Sequence, residues 1–141
     1  MKFLIFIALT ISCVLANNII LEGADFYDGV VTDALGNTNN AWIIKFFNPR
    51  CPHCRKFAPI WEDASDNLDQ EGLNFGELDC SRYKPVCDRF NIWGVPTVMV
   101  FKDNYMVEYE GPNSFDGLSE YILNREYEQV GPNERAFIPP A

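Results

Sequence analysis

Residues 42–59 have the sequence WIIKFFNPRCPHCRKFAP, which predicts a strand followed directly by a helix. The first six residues are apolar except for Lys45, as is typical of a short strand covered on both faces. Asn48-Pro49 ends this strand. Cys51 therefore stands at the N-terminus of the following helix, where free N–H groups and the helix dipole favour a thiolate.

Cys51 and Cys54 form a Cys-x-x-Cys pair, which is typical of two kinds of site. One is a redox-active dithiol, and the other is half of a four-ligand zinc site. A second ligand pair of matching spacing is missing from the sequence. The pattern therefore favours redox chemistry, with no metal and no other cofactor.

The composition indicates one domain with its own core, since 48% of the 141 residues are hydrophobic and 14% are aromatic. The net charge is -9, and residues 1–16 contribute only Lys2, so the remainder has 10 basic and 20 acidic residues, or -10. This excess of negative charge disfavours nucleic acids and anionic membrane surfaces as partners.

Residues 1–16 have the pattern of a secretory signal peptide, with Lys2 followed by an apolar run that ends in Ala16. The run is too short for a comfortable transmembrane span. Its removal would take away Cys13 and leave four cysteines. An even number of cysteines in an exported protein indicates an oxidising compartment.

The rest of the chain predicts strands and helices in alternation. The predicted strands are 18–21, 42–47, 73–79, 97–102 and 105–109. The predicted helices are 24–35, a helix from Cys51 to about residue 68, a short helix opened by Pro85, and 115 to about 126, capped by Ser114. Residues 131–141 contain three prolines and predict an extended tail.

The cysteine motif resembles that of the thioredoxin superfamily and, within it, the protein disulfide isomerases. The similarity rests on the Asn-Pro-Arg-Cys approach, Cys-Pro-His-Cys at 51–54, Pro59, and Gly94-Val95-Pro96-Thr97, which is similar to the family's cis-proline loop. It covers roughly residues 18–125. The resemblance implies an α/β thioredoxin fold, with a central mixed sheet flanked by helices, over residues 17–127 and an extended tail over 128–141.

The resemblance also implies roles for the residues of these motifs. Cys51 is the expected nucleophile and Cys54 the expected resolving thiol. His53, the only histidine, is expected to stabilise the Cys51 thiolate. The Val95-Pro96 segment is expected to face the cysteines and to pair through its backbone with an extended substrate segment.

Lys45 and Asn113 depart from the family pattern. Isomerase domains usually place a glutamate six residues before the first cysteine, as a proton carrier for the second, where this chain has Lys45. They also usually carry an arginine near Gly111-Pro112, where this chain has Asn113. Because an unpaired buried ammonium is strongly unfavourable, Lys45 is expected either to pair with the Cys54 thiolate or to extend to solvent.

Cys80 and Cys87 are separated by six residues. On one continuous helix their Cα atoms would lie about 10 Å apart, which is beyond the reach of a disulfide. Because Pro85 can open a separate short helix, a local disulfide is feasible, and similar pairs in some isomerase domains are structural. Two free thiols or a second redox pair remain the alternatives.

The sequence therefore predicts an exported thiol–disulfide oxidoreductase that forms or rearranges disulfides in folding secretory proteins. Its expected partners are cysteine-containing unfolded or partly folded proteins and an unidentified redox partner, and the chain is expected to be a monomer. The alternative is a binding module for unfolded or partner proteins, in which Cys51–Cys54 is only a structural disulfide. The final residues IPPA are not a retrieval signal, so both the endoplasmic reticulum lumen and secretion remain open, as does the direction of the redox reaction.

Overall fold

A computed structural model of the protein describes residues 17–68 and 72–141, and the predicted signal peptide lies outside these ranges. The strands within them are β1 Asn18–Ile20, β2 Ala41–Phe47, β3 Leu73–Asp79, β4 Thr97–Lys102, β5 Tyr105–Glu108 and β6 Ala136–Phe137. The α-helices are α1 Pro52–Asn67, α2 Lys84–Arg89 and α3 Phe115–Leu123, and short 3-10 helices cover Gly23–Phe26 and Glu126–Glu128. No helix in the described ranges is long and apolar enough to cross a membrane.

The strands form one mixed sheet in the order β1-β3-β2-β4-β5-β6. β1 and β2 run parallel to β3, whereas β4, β5 and β6 each pair antiparallel with the preceding strand of the sheet. β2 lies near the centre and pairs with a strand on each side, which fixes the position of the loop that follows it. The observed sheet and helices confirm the α/β thioredoxin fold expected from the sequence.

The side chains of β2 alternate between two cores, because successive residues of a strand point to opposite faces of the sheet. Ile43 packs in one core with Trp61 of α1 and Leu118 of α3. Phe46 packs in the other core with Val86 of α2. Helices α1 and α3 therefore cover one face of the sheet and α2 covers the other.

The helix predicted for residues 24–35 is wrong. Only the 3-10 helix Gly23–Phe26 forms there, followed by isolated β-bridges. Thr32 Oγ1 donates a hydrogen bond to the last carbonyl of the 3-10 helix at 3.0 Å, and Asp33 Oδ1 accepts two backbone N–H groups at 2.9 Å each. Side chains that bind nearby backbone in this way compete with helical hydrogen bonds and favour turns.

The last helix has the predicted cap but ends early. The Ser114 side chain accepts a hydrogen bond from the Gly117 N–H at 3.1 Å, which confirms the N-cap. The helix stops at Leu123 instead of continuing to about residue 126, because Arg125 adopts a left-handed conformation with φ of 52°.

The extended C-terminal segment packs against the domain. Its residues 136–137 form β6 beside β5, and Ile138 is buried in the core on the α2 face. Arg89 fastens the segment to α2, because its guanidinium donates hydrogen bonds to the carbonyls of Pro139, Phe26 and Asp33 at 2.8, 2.7 and 3.2 Å. A single side chain thus joins α2, the 3-10 segment and the C-terminal segment.

Candidate active site

Cys51 is the N-cap residue of α1, and Pro52 is the first residue of that helix. Asn48 stabilises the turn that precedes Cys51. Its carbonyl accepts a hydrogen bond from the Cys51 N–H at 3.0 Å, and its side-chain oxygen accepts one from the Arg50 N–H at 2.9 Å. The turn leaves Cys51 half-buried at the start of α1, whereas Cys54 is buried, with 3% of its surface exposed.

The surroundings of the Cys51 thiol hold its pKa below the ordinary value for cysteine. The largest cause is a hydrogen bond from the backbone N–H of Cys54, with further contributions from the Cys54 thiol, the His53 N–H and the positive charge of Arg55. The Cys51 thiol also donates a hydrogen bond to the Val95 carbonyl, with the sulfur and oxygen 3.7 Å apart. The N-terminus of α1 therefore stabilises the thiolate form of Cys51.

The environment of the Cys54 thiol shifts its pKa in the opposite direction. Burial raises its pKa, and the neighbouring Cys51 thiol raises it further, while a hydrogen bond from the Asn48 backbone and the positive charge of Lys45 act against this shift. The two thiols thus differ both in exposure and in acidity. A disulfide arriving from solvent meets the more acidic thiol first.

Lys45 lies on the face of the sheet that α1 covers, and its side chain is only 3% exposed. The expectation that it extends to solvent is therefore wrong. Its Nζ lies 2.8 Å from the Glu77 carboxylate, directly across from it on β3. The ammonium group also lies 4.9 Å from the centre of the Phe47 ring and 5.9 Å from that of Trp61. The Glu77 carboxylate on the neighbouring strand thus compensates the buried charge of Lys45. That positive charge opposes, but does not cancel, the upward shift in the pKa of Cys54.

His53 and Asn113 are both exposed. The contribution of His53 to the low pKa of the Cys51 thiol comes through its backbone N–H. The structure therefore brings together Cys51, Cys54, Lys45 and Val95, and it leaves the imidazole of His53 at the surface.

The loop before β4 completes the site. The Val95–Pro96 peptide bond is cis. Thr97 Oγ1 donates a hydrogen bond to the Gly94 carbonyl at 2.6 Å, which ties the loop to the start of β4. Trp93, in the same loop, is 89% exposed.

Cys80 and Cys87 form a disulfide, with sulfur atoms 2.13 Å apart and Cα atoms 5.8 Å apart. Cys80 directly follows β3, and Cys87 lies in α2, which begins only at Lys84, so the two cysteines do not share a helix. Both pack against the core on the α2 face. This disulfide therefore lies across the sheet from α1 and its two thiols.

Three grooves of about 1330, 430 and 270 Å³ indent the surface, and neither Cys51 nor Cys54 lines any of them. In the described part of the chain, no group of three or more His, Cys, Asp or Glu side chains is arranged to hold a metal ion. Of the two thiols, the half-buried Cys51 is the one that solvent reaches.

A family model described as Thioredoxin matches residues 20–124. The chain belongs to the thioredoxin family. It is similar to a putative protein disulfide-isomerase of Schizosaccharomyces pombe, with 35% identity over 91 residues that cover 64% of this chain and 18% of that protein. It is also similar to protein disulfide isomerase-like 5-1 of Oryza sativa subsp. japonica, with 28% identity over 92% of this chain and 89% of that protein. Among solved structures, the J-Trx1 fragment of ERdj5 matches it with a TM-score of 0.65 and 26% identity over 77% of this chain and 51% of that one.

The relatives that the chain resembles over this thioredoxin-family domain include several proteins named as protein disulfide isomerases or as similar to them. Several of the curated relatives are longer, and the chain spans about half of their length or less. The likeness therefore concerns one domain of such proteins.

Glu77 and Trp93 are the two residues of the site that sequence reasoning missed. A buried lysine in a central strand requires a carboxylate on a neighbouring strand, and Glu77 is one of two acidic residues within β3, so this signal was present. The exposure of Trp93 had no such signal, because an aromatic residue between Ile92 and Gly94 is equally compatible with a buried position.

Proposed function

We propose that this thioredoxin-family domain is an exported thiol–disulfide oxidoreductase that forms or rearranges disulfides in folding secretory proteins. The observation that carries the proposal is the asymmetry of the two thiols at the start of α1. Cys51 is half-buried with a lowered pKa, whereas Cys54 is buried with a raised pKa. An accessible thiolate backed by a buried thiol suits disulfide exchange through a mixed disulfide.

In the oxidising direction, a substrate thiolate attacks the Cys51 sulfur of the Cys51–Cys54 disulfide. That bond breaks, a mixed disulfide forms between the substrate and Cys51, and Cys54 leaves as a thiolate that takes up a proton. A second substrate thiolate then attacks the substrate sulfur of the mixed disulfide and releases the Cys51 thiolate. The substrate dithiol is thereby oxidised, the protein gains its two electrons, and a disulfide such as oxidised glutathione must accept them before the next turnover.

The low pKa of Cys51 favours donation of the disulfide over reduction of substrates. A stabilised thiolate stabilises the dithiol form of the protein, and it is also the better leaving group in the final step. Both effects make the disulfide form the stronger oxidant. The Cys80–Cys87 disulfide supports an oxidising compartment such as the endoplasmic reticulum lumen or the extracellular space.

Lys45 is proposed to act as a positioning residue that tunes Cys54. Its positive charge opposes the effect of burial on the pKa of that thiol, and Glu77 keeps the ammonium group inside the sheet. Replacing Lys45 with methionine should therefore raise the pKa of Cys54 and slow resolution of mixed disulfides. The double variant Lys45→Met/Glu77→Leu is the matched control for stability, because it also removes the carboxylate left unpaired in the single variant. A Cys54 titration that is the same in both variants and in the parent would show that Lys45 is only a packing residue.

The test of the proposed function is refolding of reduced, denatured ribonuclease in a glutathione redox buffer. The parent protein should accelerate recovery of ribonuclease activity, and the Cys51→Ser/Cys54→Ser variant should not. Equal rates with parent, variant and buffer alone would refute the proposal. Suppression of aggregation by both proteins without any redox activity would instead support a binding module for unfolded chains.

A further inference from the structure

Trp93 is an exposed residue of the loop whose Val95 carbonyl contacts Cys51, and the exchange chemistry leaves it without a role. Its indole is 89% exposed, although indoles gain much from burial. It lies two residues before Val95, whose carbonyl is 3.7 Å from the Cys51 sulfur, so the Cα atoms of Trp93 and Val95 are at most about 7 Å apart. A Cβ atom placed on Gly94, between them, would meet nothing within 4 Å, so this loop borders open space.

The stretch around the cysteines is cationic, although the protein as a whole is acidic. Residues 48–61 contain three basic residues and no carboxylate, whereas the whole chain has a net charge of -9. Arg50 and Arg55 flank the two cysteines and are exposed, and the charge of Arg55 acts on the Cys51 thiol. The loop that carries Trp93 has no charged residue. The accessible thiol therefore has exposed cations on both sides of it along the chain, and it contacts the loop that carries the exposed Trp93.

We propose that this surface selects its substrates, and that it takes extended, cysteine-containing polypeptide segments with an acidic residue on one side of the cysteine and a large apolar residue on the other. The acidic residue pairs with Arg50 and Arg55, and the apolar residue packs on Trp93. The inference rests on the proposed function, because it names the substrate class of the same site.

The dimensions and charges are compatible with such a segment. An extended chain rises about 3.3 Å per residue, so the residues one or two positions from the substrate cysteine lie within about 7 Å of it. The Cα atoms of Trp93 and Val95 are also separated by no more than about 7 Å, so a residue one or two positions from the substrate cysteine is within reach of this loop. At physiological salt the screening length is about 8 Å, so the nearby guanidinium groups affect the substrate more than carboxylates elsewhere on the protein do.

The test is single-turnover oxidation of synthetic dithiol peptides by protein whose Cys51 and Cys54 are joined in a disulfide. The peptides share two cysteines and a phenylalanine and differ at one neighbouring position, which is glutamate, glutamine or lysine. A second set has alanine in place of phenylalanine. Each rate constant is divided by that of the same peptide with the uncharged disulfide of 2-mercaptoethanol, because a neighbouring charge also changes the pKa of the peptide thiols.

After this correction, the glutamate peptide should react about two- to tenfold faster than the lysine peptide, as expected for one or two exposed ion pairs. Arg50→Gln/Arg55→Gln should bring this ratio close to one. Arg135→Gln, which removes an exposed cation beside β6, should leave it unchanged. The ratio is compared within each variant, because Arg55 also affects the Cys51 thiol.

Trp93→Ala should lower the corrected rate of the phenylalanine peptides about two- to tenfold relative to the alanine peptides, as expected for loss of an aromatic contact. Equal corrected rates for the three peptides with the parent protein would overturn the inference and leave the proposed function standing. A charge preference that survives Arg50→Gln/Arg55→Gln, or a Trp93→Ala effect that is the same on both peptide sets, would also overturn it. Failure to oxidise any peptide would refute the proposed function itself.

Discussion

The two cysteine pairs of this domain lie on opposite faces of one sheet and differ in their bonding and exposure. Cys51 and Cys54 are free thiols at the start of α1, and one of them is accessible. Cys80 and Cys87 are bonded between the end of β3 and α2, and Cys87 is 2% exposed. The difference lies in the backbone around them, because Cys51 caps a helix whose first N–H groups have no helical partner, whereas Cys87 lies inside a helix. Position relative to a helix start thus separates the accessible free thiol from the buried, bonded one.

The largest effect that can test this comparison is loss of turnover. Cys51→Ser removes the attacking thiolate, so ribonuclease refolding should fall to the rate of the glutathione buffer alone. Cys54→Ala keeps that thiolate but removes the resolving thiol, so mixed disulfides with substrate should accumulate and be visible on non-reducing gels. Cys80→Ala/Cys87→Ala should keep most of the activity, and a loss of activity without a loss of stability would show that this pair is redox-active.

The second effect is on stability and concerns the other pair. Cys80→Ala/Cys87→Ala opens a loop with a sequence separation of 7, which should lower the free energy of unfolding by about 2 to 3 kcal/mol. Urea denaturation measures this change. Cys51→Ala is the control, because a change at a half-buried helix cap with no side-chain cap bond should alter stability by no more than about 0.5 kcal/mol. Equal losses in the two variants would remove the distinction between the pairs.

The third effect is a difference in reactivity that depends on pH. The lowered pKa of Cys51 enlarges its thiolate fraction below the ordinary cysteine pKa, and the raised pKa of Cys54 reduces the fraction there. At about pH 6, iodoacetamide should therefore label Cys51 faster than Cys54, because the thiolate is the form that reacts. The ratio of the Cys51 labelling rate to the Cys54 labelling rate should fall as the pH rises. Labelling at equal rates, followed by peptide mass analysis, would contradict the assignment.

The smallest effect comes from an exposed ion-pair cluster, where a charge shift has little influence on stability. Hydrogen bonds from Arg125 and Lys102 lower the pKa of Glu128 to about 2. Because the folded pKa is depressed, the stabilisation is present above the ordinary glutamate value of about 4.3 and is lost as the pH falls toward 2. Glu128→Gln should cost about 0.2 to 1 kcal/mol at neutral pH and clearly less near pH 2, as thermal unfolding at the two pH values would show. A cost that does not change with pH would mean that the loss is one of packing.

Where the local sequence and the tertiary contacts favour the same structure, the fold was predictable. The run 42–47 forms β2, and the cap at Ser114 forms as predicted. The error at 24–35 has the opposite cause, because its apolar spacing fits a helix while Thr32 and Asp33 bind backbone groups locally. Periodicity alone does not show which of these hydrogen bonds is formed.

The features of the site that depend on neighbouring residues in the chain were predictable, but the contacts between strands were not. The cap position of Cys51 follows from local order, because a strand, a turn and a proline precede the helix. The pairing of Lys45 with Glu77 depends on the register of β2 against β3, which links residues 32 positions apart. A single sequence does not state that register, so the partner of the buried lysine became known only from the structure.

The three tryptophans make the domain a fluorescent reporter of two separate events. Trp61 and Trp42 are 0% and 5% exposed, whereas Trp93 is 89% exposed. Indoles in the core emit at shorter wavelength than an indole in water and are shielded from acrylamide, so their emission follows unfolding. The solvated indole of Trp93 is open to the quencher, and the substrate segment proposed above would cover it. Substrate docking can therefore be recorded optically on the unlabelled protein, at the red edge of its own spectrum.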